Sequence, residues 1–230
     1  MRVKSSEQGR GALAGLRVLV NAGPTYEDID PVRFLGNRSS GKMGFAIAGA
    51  ASLAGAEVTL VAGPVALATP AKVALRVDVR SARQMRDAVL EAVRNADIFI
   101  ATAAVADWRV ATYSSRKLKK GARGAPVLEL VENPDILAEV AALDPRPFVV
   151  GFAAETERLA ERAREKLVHK KLDMLVANLV DEHVGIGADD NAVEVFWPGG
   201  SEALPRASKL EIAEALVAQI ARRFHARRHG

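Results

Sequence analysis

Residues 41–62 read GKMGFAIAGAASLAGAEVTLVA. The first part, 41–56, carries its apolar residues at helical spacing and ends at Gly55. The second, EVTLVA at 57–62, is a short apolar run stopped by Gly63 and Pro64. A helix that feeds straight into a buried strand is half of a parallel crossover. The other half lies upstream, where LRVLV at 16–20 is bounded by Gly15 and by Asn21-Ala-Gly-Pro and reads as a buried strand.

Downstream the alternation continues. KVALRVDV (72–79) predicts a strand, and SARQMRDAVLEAVRNA (81–96) a helix with Ser81 as N-cap and Met85, Val89 and Val93 on one face. DIFIATAAVA (97–106) is the most apolar strand; PFVVGFAAE (147–155) follows, then a helix through Lys171 and the strand DMLVAN (173–178). NAVEVFW (191–197) and SEALP (201–205) flank Gly199-Gly200 as a late hairpin, and SKLEIAEALVAQIARRF (208–224) predicts a terminal amphipathic helix. Alternating strands and helices imply an α/β fold: a Rossmann-like, mostly parallel sheet with helices on both faces. Residues 107–133 have too little apolar periodicity for the core, but their ends, WRVATY and PVLELVE, alternate like strands; they predict an extended arm. One domain spanning 1–230 accounts for the whole pattern.

Composition narrows the chemistry. Of 230 residues none is Cys, which excludes disulfides, thiolate metal sites and cysteine nucleophiles. Four His without paired spacing argue against zinc. No apolar run reaches the roughly 20 residues of a membrane span, and MRVKSSEQGRG lacks a secretory centre. The expectation is a cytoplasmic protein without a membrane partner. The net charge, +4, is too small to argue for nucleic acid, although basic residues gather at 116–123, 164–171 and 222–229.

Residues 36–44, GNRSSGKMG, imitate a phosphate loop, G-x-x-x-x-G-K, but place Met43 where a Mg²⁺-binding hydroxyl belongs. The loop also starts well after the first strand ends, whereas a P-loop follows its strand directly. NAGPTYED (21–28) holds no G-x-G-x-x-G either. What remains is Ser39, Ser40 and Gly41 at a helix start, where free N–H groups and the helix dipole favour an anion; the two serines as plain helix caps fit equally. Asp107, after the apolar strand, can hold a ribose hydroxyl, a base amino group or a metal, or simply cap the strand end. KLKK (117–120) concentrates charge for a triphosphate, or is a solvated run. Asn133-Pro134-Asp135 is a helix-start signal, and Lys166 and Lys170 share one helix face.

Together and in this order, several stretches resemble the phosphopantothenoylcysteine synthetase family, the ligase half of a bacterial bifunctional coenzyme A biosynthesis protein. They are AGPTYEDIDPVRFLGNRSSGKMGFAIA (22–48), TLVAGPV (59–65), ATAAVADWR (101–109), KLKK, NPDIL (133–137), VGFAAET (150–156), KLVHKKLD (166–173) and DDNAVEVFW (189–197). Trp108 stands where the family often has Tyr. The resemblance implies activation of the carboxylate of 4′-phosphopantothenate by CTP to an acyl-cytidylate, with pyrophosphate released and Mg²⁺ on the triphosphate. The L-cysteine amine then displaces CMP. It further implies a homodimer joined through the arm. The family's flavin-dependent decarboxylase half has no counterpart in this sequence, so the chain is either a separate synthetase or one domain of a longer protein.

The resemblance also assigns residues. Asn37 would touch the acyl phosphate and donate to a developing oxyanion, with Arg33 beside the same phosphopantothenate site and Ser39, Ser40 and Gly41 offering donors. Ala101, Thr102, Ala103 and Asp107 would line the nucleotide, and Lys117 would contact its triphosphate. Asn133, Pro134, Asp135, Ile136, Phe152, Lys166 and Lys170 would complete the CTP pocket. No metal ligand is named beyond Asp107 as a candidate. Two readings compete: a Rossmann-type NAD(P)-dependent oxidoreductase, disfavoured by the missing glycine fingerprint, and a nucleic-acid-binding module using the basic tail, disfavoured by an aromatic content of 5%.

Overall fold

In a computed structural model the chain is described at residues 11–119, 125–155, 159–179 and 189–229. Lys120, the end of the lysine-rich stretch to 123, Thr156 of VGFAAET and the first ten residues lie outside the described residues.

The strands are β1 (Arg17–Ala22), β2 (Tyr26–Asp28), β3 (Phe34–Gly36), β4 (Glu57–Ala62), β5 (Leu75–Asp78), β6 (Ile98–Ala101), β7 (Trp108–Val110), β8 (Leu130–Glu132), β9 (Phe148–Glu155), β10 (Met174–Leu179), β11 (Asp190–Trp197) and β12 (Gly200–Ser208). The helices are α1 (Lys42–Leu53), α2 (Ala82–Ala92), α3 (Ile136–Ala141), α4 (Leu159–His169) and α5 (Lys209–His229). Eight strands form the main sheet in the order β12-β11-β10-β9-β6-β1-β4-β5. The six from β5 to β10 are parallel; β11 and β12 close one edge as an antiparallel hairpin.

Two hydrophobic layers cover this sheet. On one face Phe45, Ile47 and Ala51 of α1 and Leu216, Ile220 and Phe224 of α5 pack on Val18, Val20, Leu60 and Ile100. On the other, Met85 and Val89 of α2, Ile136 and Val140 of α3 and Leu167 of α4 pack on Leu19, Phe99, Val149 and Leu175. Alternate residues of one strand thus feed opposite layers, as a pleat requires. The expected doubly covered α/β sheet is the one observed. α2 begins with the expected Ser81 cap, extended to a capping box with Gln84.

Three differences from the sequence reading have physical causes. The strand expected over 72–79 is only Leu75–Asp78, because Lys72 has a φ of 65°, outside strand geometry. The strand expected over 97–106 stops at Ala101. Beyond it the Thr102 hydroxyl donates to the Asn21 carbonyl at 2.6 Å and the Ala103 N–H to the Asn21 side chain at 3.2 Å, which turns the chain across the end of β1. The pair β2–β3 was not expected at all. It is held by Tyr26 stacked on Phe34, ring centroids 3.9 Å apart, and by the Arg80–Asp28 ion pair at 2.7 Å. The arm is extended as expected at its base, where β7 and β8 pair with each other in a small separate sheet.

Candidate active site

β1 sits at the reversal of strand order. From it the chain runs through α1 on one face to β4, while its other neighbour, β6, is reached only after α2 on the opposite face. Crevices of this type open at the carboxyl ends of the strands. A cleft of about 950 Å³ lies there, floored by Asn21, Ala101 and Phe152 and walled by the starts of α1, α3 and α5.

The start of α1 resolves an alternative left open by the sequence. Gly41 is its N-cap at φ 74°, a left-handed conformation that suits glycine, and no side chain caps the first turn. Ser39 instead accepts the Gly41 N–H at 3.3 Å. The serines are therefore not ordinary caps, and both line the cleft with Gly41. Gly44, one turn on, lets α1 press against the strands. A Cβ there would come 2.2 Å from the Thr102 hydroxyl and 2.5 Å from the Ala22 Cβ.

Opposite this helix, residues 101–107 form a wall of small side chains, Ala101, Thr102, Ala103 and the exposed Asp107. Two polar side chains fix their backbone. Thr25, fully buried, accepts the Ala106 N–H at 2.9 Å, and Asn133 donates to the Ala106 carbonyl at 2.8 Å. Asn133 also accepts from Arg109 at 3.1 Å. Pro134 and Ile136 continue the wall, and Asp135 caps α3 by accepting the Ala138 N–H at 3.0 Å. The helix-start reading of Asn133-Pro134-Asp135 is correct, and the same residues line the cleft.

Asn37 donates to the Ala104 and Val105 carbonyls at 3.3 and 3.0 Å. Only an amide nitrogen can face two carbonyls, so the orientation follows from the network. Both amide hydrogens are then engaged, and the oxygen is left for a ligand. The family resemblance implies hydrogens that face an oxyanion; in the chain alone they tether the loop.

Four lysines line the cleft. Lys166 donates to the Phe152 carbonyl at 3.4 Å, Lys170 pairs with Asp135 at 2.6 Å, and Lys42 pairs with Asp189 at 2.6 Å. Lys209, at the start of α5, is 8% exposed. Burial and then the Lys42 charge lower its ammonium pKa, partly offset by Asp189 and Asp190. Burial alone would raise Asp135, but the Lys170 ammonium and the Ala138 N–H carry it below the ordinary carboxylate value.

Arg33 and Lys117 are not on the cleft. Arg33 pairs with Asp30 at 2.5 Å and donates to the Leu118 carbonyl at 2.7 Å, while Lys117 is exposed next door. Conversely, sequence reasoning overlooked Asn21, Arg38, Asn178, Asn191 and Lys209, all lining the cleft. Lys209 had a readable signal, a lysine opening a helix whose next turns are apolar. Asn21 had another, a polar residue closing an apolar strand.

This is a doubly wound α/β domain with a cleft at its switch point. Residues 13–224 match the DNA/pantothenate metabolism flavoprotein C-terminal domain, and the chain belongs to that family. It is 51% identical over 208 residues to the coenzyme A biosynthesis bifunctional protein CoaBC of Vibrio cholerae, covering 89% of this chain and 52% of that protein. The chain thus spans about half the length of the curated relatives it matches. Among solved structures it is similar to the C-terminal domain of a CoaBC protein, with TM-score 0.80 and 39% identity over 94% of this chain and 99% of that one. A Cab2 variant in complex with phosphopantothenate-cysteine shares the fold at 17% identity, with TM-score 0.77, covering 94% of this chain and 89% of that one.

Proposed function

We propose that the chain is a phosphopantothenate–cysteine ligase of coenzyme A biosynthesis, using CTP and Mg²⁺. The observation that carries this reading is one cleft gathering the α1 start, the 101–107 wall, Asn133–Ile136, Phe152 and Lys166 and Lys170. The names of the relatives, which tie them to coenzyme A biosynthesis, support it. The NAD(P) alternative finds no support in this family.

In the first half-reaction a carboxylate oxygen of 4′-phosphopantothenate attacks the α-phosphorus of CTP, and pyrophosphate leaves. The small residues at 101–103 let a flat base lie against the backbone, and Lys166 and Lys170 offset phosphate charge. Lys170 can do so by exchanging Asp135 for a phosphate oxygen. The uncapped α1 start offers N–H groups to the anionic end of the other substrate. In the second half-reaction the cysteine amine attacks the acyl carbon and CMP leaves. The Asn37 oxygen, free of its tether bonds, is suited to accept an amine N–H and align the nucleophile. No step needs a protein nucleophile.

Among the described residues no three His, Cys, Asp or Glu gather as a metal site. Mg²⁺ commonly takes one or two carboxylates together with phosphates and water. Asp107, an exposed carboxylate on the cleft, fits that donor set, and the ion would neutralise triphosphate charge. A homodimer is part of the same proposal, supported by exposed Trp108, Val127, Leu128 and Leu130 on the arm, apolar surface that a second copy can cover. So are a single domain over 1–230, a cytoplasmic location and a flavin-dependent decarboxylase as the companion activity. No helix among the described residues is long and apolar enough to cross a membrane.

The test is pyrophosphate release with CTP, ATP, GTP and UTP, each with and without phosphopantothenate, in Mg²⁺. Release requiring both CTP and phosphopantothenate is expected. Release with ATP and none with CTP overturns the nucleotide; no release with any nucleotide overturns the ligase.

A further inference from the structure

The basic tail at 222–229 has no part in the cleft, which opens at the other end of the sheet. β11 runs antiparallel to β10, so its last residue, Trp197, comes to the amino ends of the parallel strands. A second cavity, of about 570 Å³, lies there, between Trp197 and Pro198 of the β11–β12 turn and Arg222, Arg223, Ala226 and Arg227 on the last turns of α5. The two cavities share no lining residue. The arginines of this second cavity are of two kinds. Arg227 is engaged: it donates to Asp173 Oδ2 at 3.0 Å and to the Pro147 carbonyl at 3.3 Å. Arg222 and Arg223 form neither a hydrogen bond nor an ion pair among the described residues.

Arg223 is the more informative of the two. Its guanidinium carbon lies 3.4 Å from the centre of the Trp197 ring, a cation–π stack. The ring lies close against the hairpin turn: a Cβ on Gly200 would meet indole atoms at 2.8 and 2.9 Å. The stack holds the guanidinium by its face, yet its Nε is buried and has no hydrogen-bond partner. Burial, and then the neighbouring Arg222 charge, lower the Arg223 pKa; Glu202 opposes them without forming an ion pair. Packing alone accounts for the stack. It does not account for a buried Nε without an acceptor, nor for a second unpaired guanidinium at the same cavity. Both are stabilised by an anion. The negative end of the α5 dipole acts within the last turn, and Arg222 and Arg223 precede it.

We propose that this cavity is a second ligand site, separate from the cleft, for a phosphate monoester with a small apolar body. The phosphate takes N–H groups of Arg223 and Arg222, and the body rests on Trp197, Pro198 and Ala226. Two unpaired guanidinium groups favour a dianion over a monoanion, and their planar forks match phosphate oxygens. A cavity of this size suits a small organic molecule rather than a bare ion. The site does not depend on the ligase reading.

Trp197 is itself the reporter. The chain has two tryptophans, and Trp108→Phe leaves Trp197 alone. Phenyl phosphate is titrated into the full chain in that background at about 0.15 M ionic strength, where exposed charges are screened. A saturable change in Trp197 fluorescence is expected, with a dissociation constant of about 1 mM or below, within reach of a ligand of this size. Inorganic phosphate lacks the body, benzyl alcohol the charge and benzoate the second charge; each should bind about tenfold or more weakly. Arg222→Gln, at an exposed side chain with no bond to lose, should weaken phenyl phosphate about tenfold or more at an unchanged thermal midpoint, and Arg223→Gln about 10–100-fold. If Arg223→Gln does not fold without its stack, the Arg222 variant decides. Should Trp108→Phe not fold, the rise in thermal midpoint that a bound ligand gives carries the same comparisons in the wild-type chain. A response that does not saturate, equal affinity with and without Arg222, or inorganic phosphate or benzoate binding as tightly as phenyl phosphate overturns the proposal.

Discussion

The two ends of the central sheet are finished in different ways. At the amino ends carboxylates close the strands: Asp97 accepts the Arg17 N–H at 2.8 Å and Asp173 the Val149 N–H at 2.8 Å. Asp173 is locked in turn by Arg146 at 2.6 Å and by Arg227 of α5 at 3.0 Å. At the carboxyl ends the strand ends and loops are held by the neutral side chains Asn21, Thr25, Asn37 and Asn133, while Lys42, Lys166 and Lys170 stand on the cleft with Asp107 and Asp135, and Lys209 is buried beside them. Around Asp173 the amino end is complete as it stands. The carboxyl end holds these loops without its lysines, whose partners, Asp135 for Lys170 and Asp189 for Lys42, are half exposed or more and can be exchanged for the phosphates of the proposed substrates.

That contrast can be broken most severely at Gly44. Adding a methyl group drives α1 off β1 and the 101–107 wall, since Thr102 and Ala22 both stand inside contact distance of it. Overpacking of this kind costs about 3 kcal/mol at the upper end of its usual range. Gly44→Ala should lower the thermal midpoint and abolish ligase activity together. A variant of wild-type stability would mean that α1 can shift freely, and the close approach would have no structural role.

Asn37→Asp should separate activity from stability. A carboxylate cannot donate, so its oxygens would meet the Ala104 and Val105 carbonyls across about 3 Å and release the loop. Mispositioning a nucleophile or losing one organised polar contact costs about 10²–10³ in rate. The variant should accumulate acyl-cytidylate from CTP and phosphopantothenate and turn over slowly when cysteine is added. Rapid quench with labelled CTP reads this; turnover of the intermediate at the wild-type rate removes Asn37 from the second half-reaction.

The opposite end should respond the other way. Asp173→Ala leaves Arg146 and Arg227 without their common partner, at a carboxylate 12% exposed. Breaking a fully buried pair costs about 3–5 kcal/mol, so this partly solvated one is worth about 2–3. The midpoint should fall by roughly 4–12 °C, with KM for CTP unchanged. A changed KM would show that the two ends are coupled through α5.

Legibility followed the same division. β4 was readable to the residue because EVTLVA is a short, largely apolar run between Gly55 and Gly63, and the start of α2 because Ser81 is a local signal; its end, expected at 96, falls at Ala92. Asn37, Ser39 to Gly41, Ala101 to Ala103, Asp107 and Asn133 to Ile136 were named through the family resemblance, because helix starts and strand ends by themselves left plain capping as an equal reading. Three features were not. β2–β3 depends on Tyr26 meeting Phe34 and Arg80 across sequence. Asp30 looks like any turn aspartate until Leu118 arrives from the arm. Lys209 joins the cleft only because β11 and β12 bring α5 beside α1. Each is decided by tertiary contacts that no local pattern encodes.

The smallest expected effect sharpens the contrast most. The Lys170–Asp135 pair at the rim is as short as the Arg146–Asp173 pair, 2.6 Å in both. Length alone would rank them equal. Their surroundings differ: Asp135 is half exposed, at 50%, against 12% for Asp173. A solvated pair of this kind is worth about 0.5 kcal/mol. Lys170→Gln should therefore cost almost nothing in stability at neutral pH. The sign with pH follows from the lowered Asp135 pKa. The pair stabilises the fold above the unfolded carboxylate value and loses that contribution as acid protonates Asp135 through its lower folded value, so the difference between variant and wild type should vanish on acidification. Activity should behave oppositely, because the ammonium is then missing from the phosphates: KM for CTP should rise about tenfold or more. Denaturant titrations at neutral and acid pH, set beside CTP kinetics, measure both quantities. A stability loss as large as that of Asp173→Ala would mean that rim lysines hold the fold, and the difference between the two ends of the sheet would disappear.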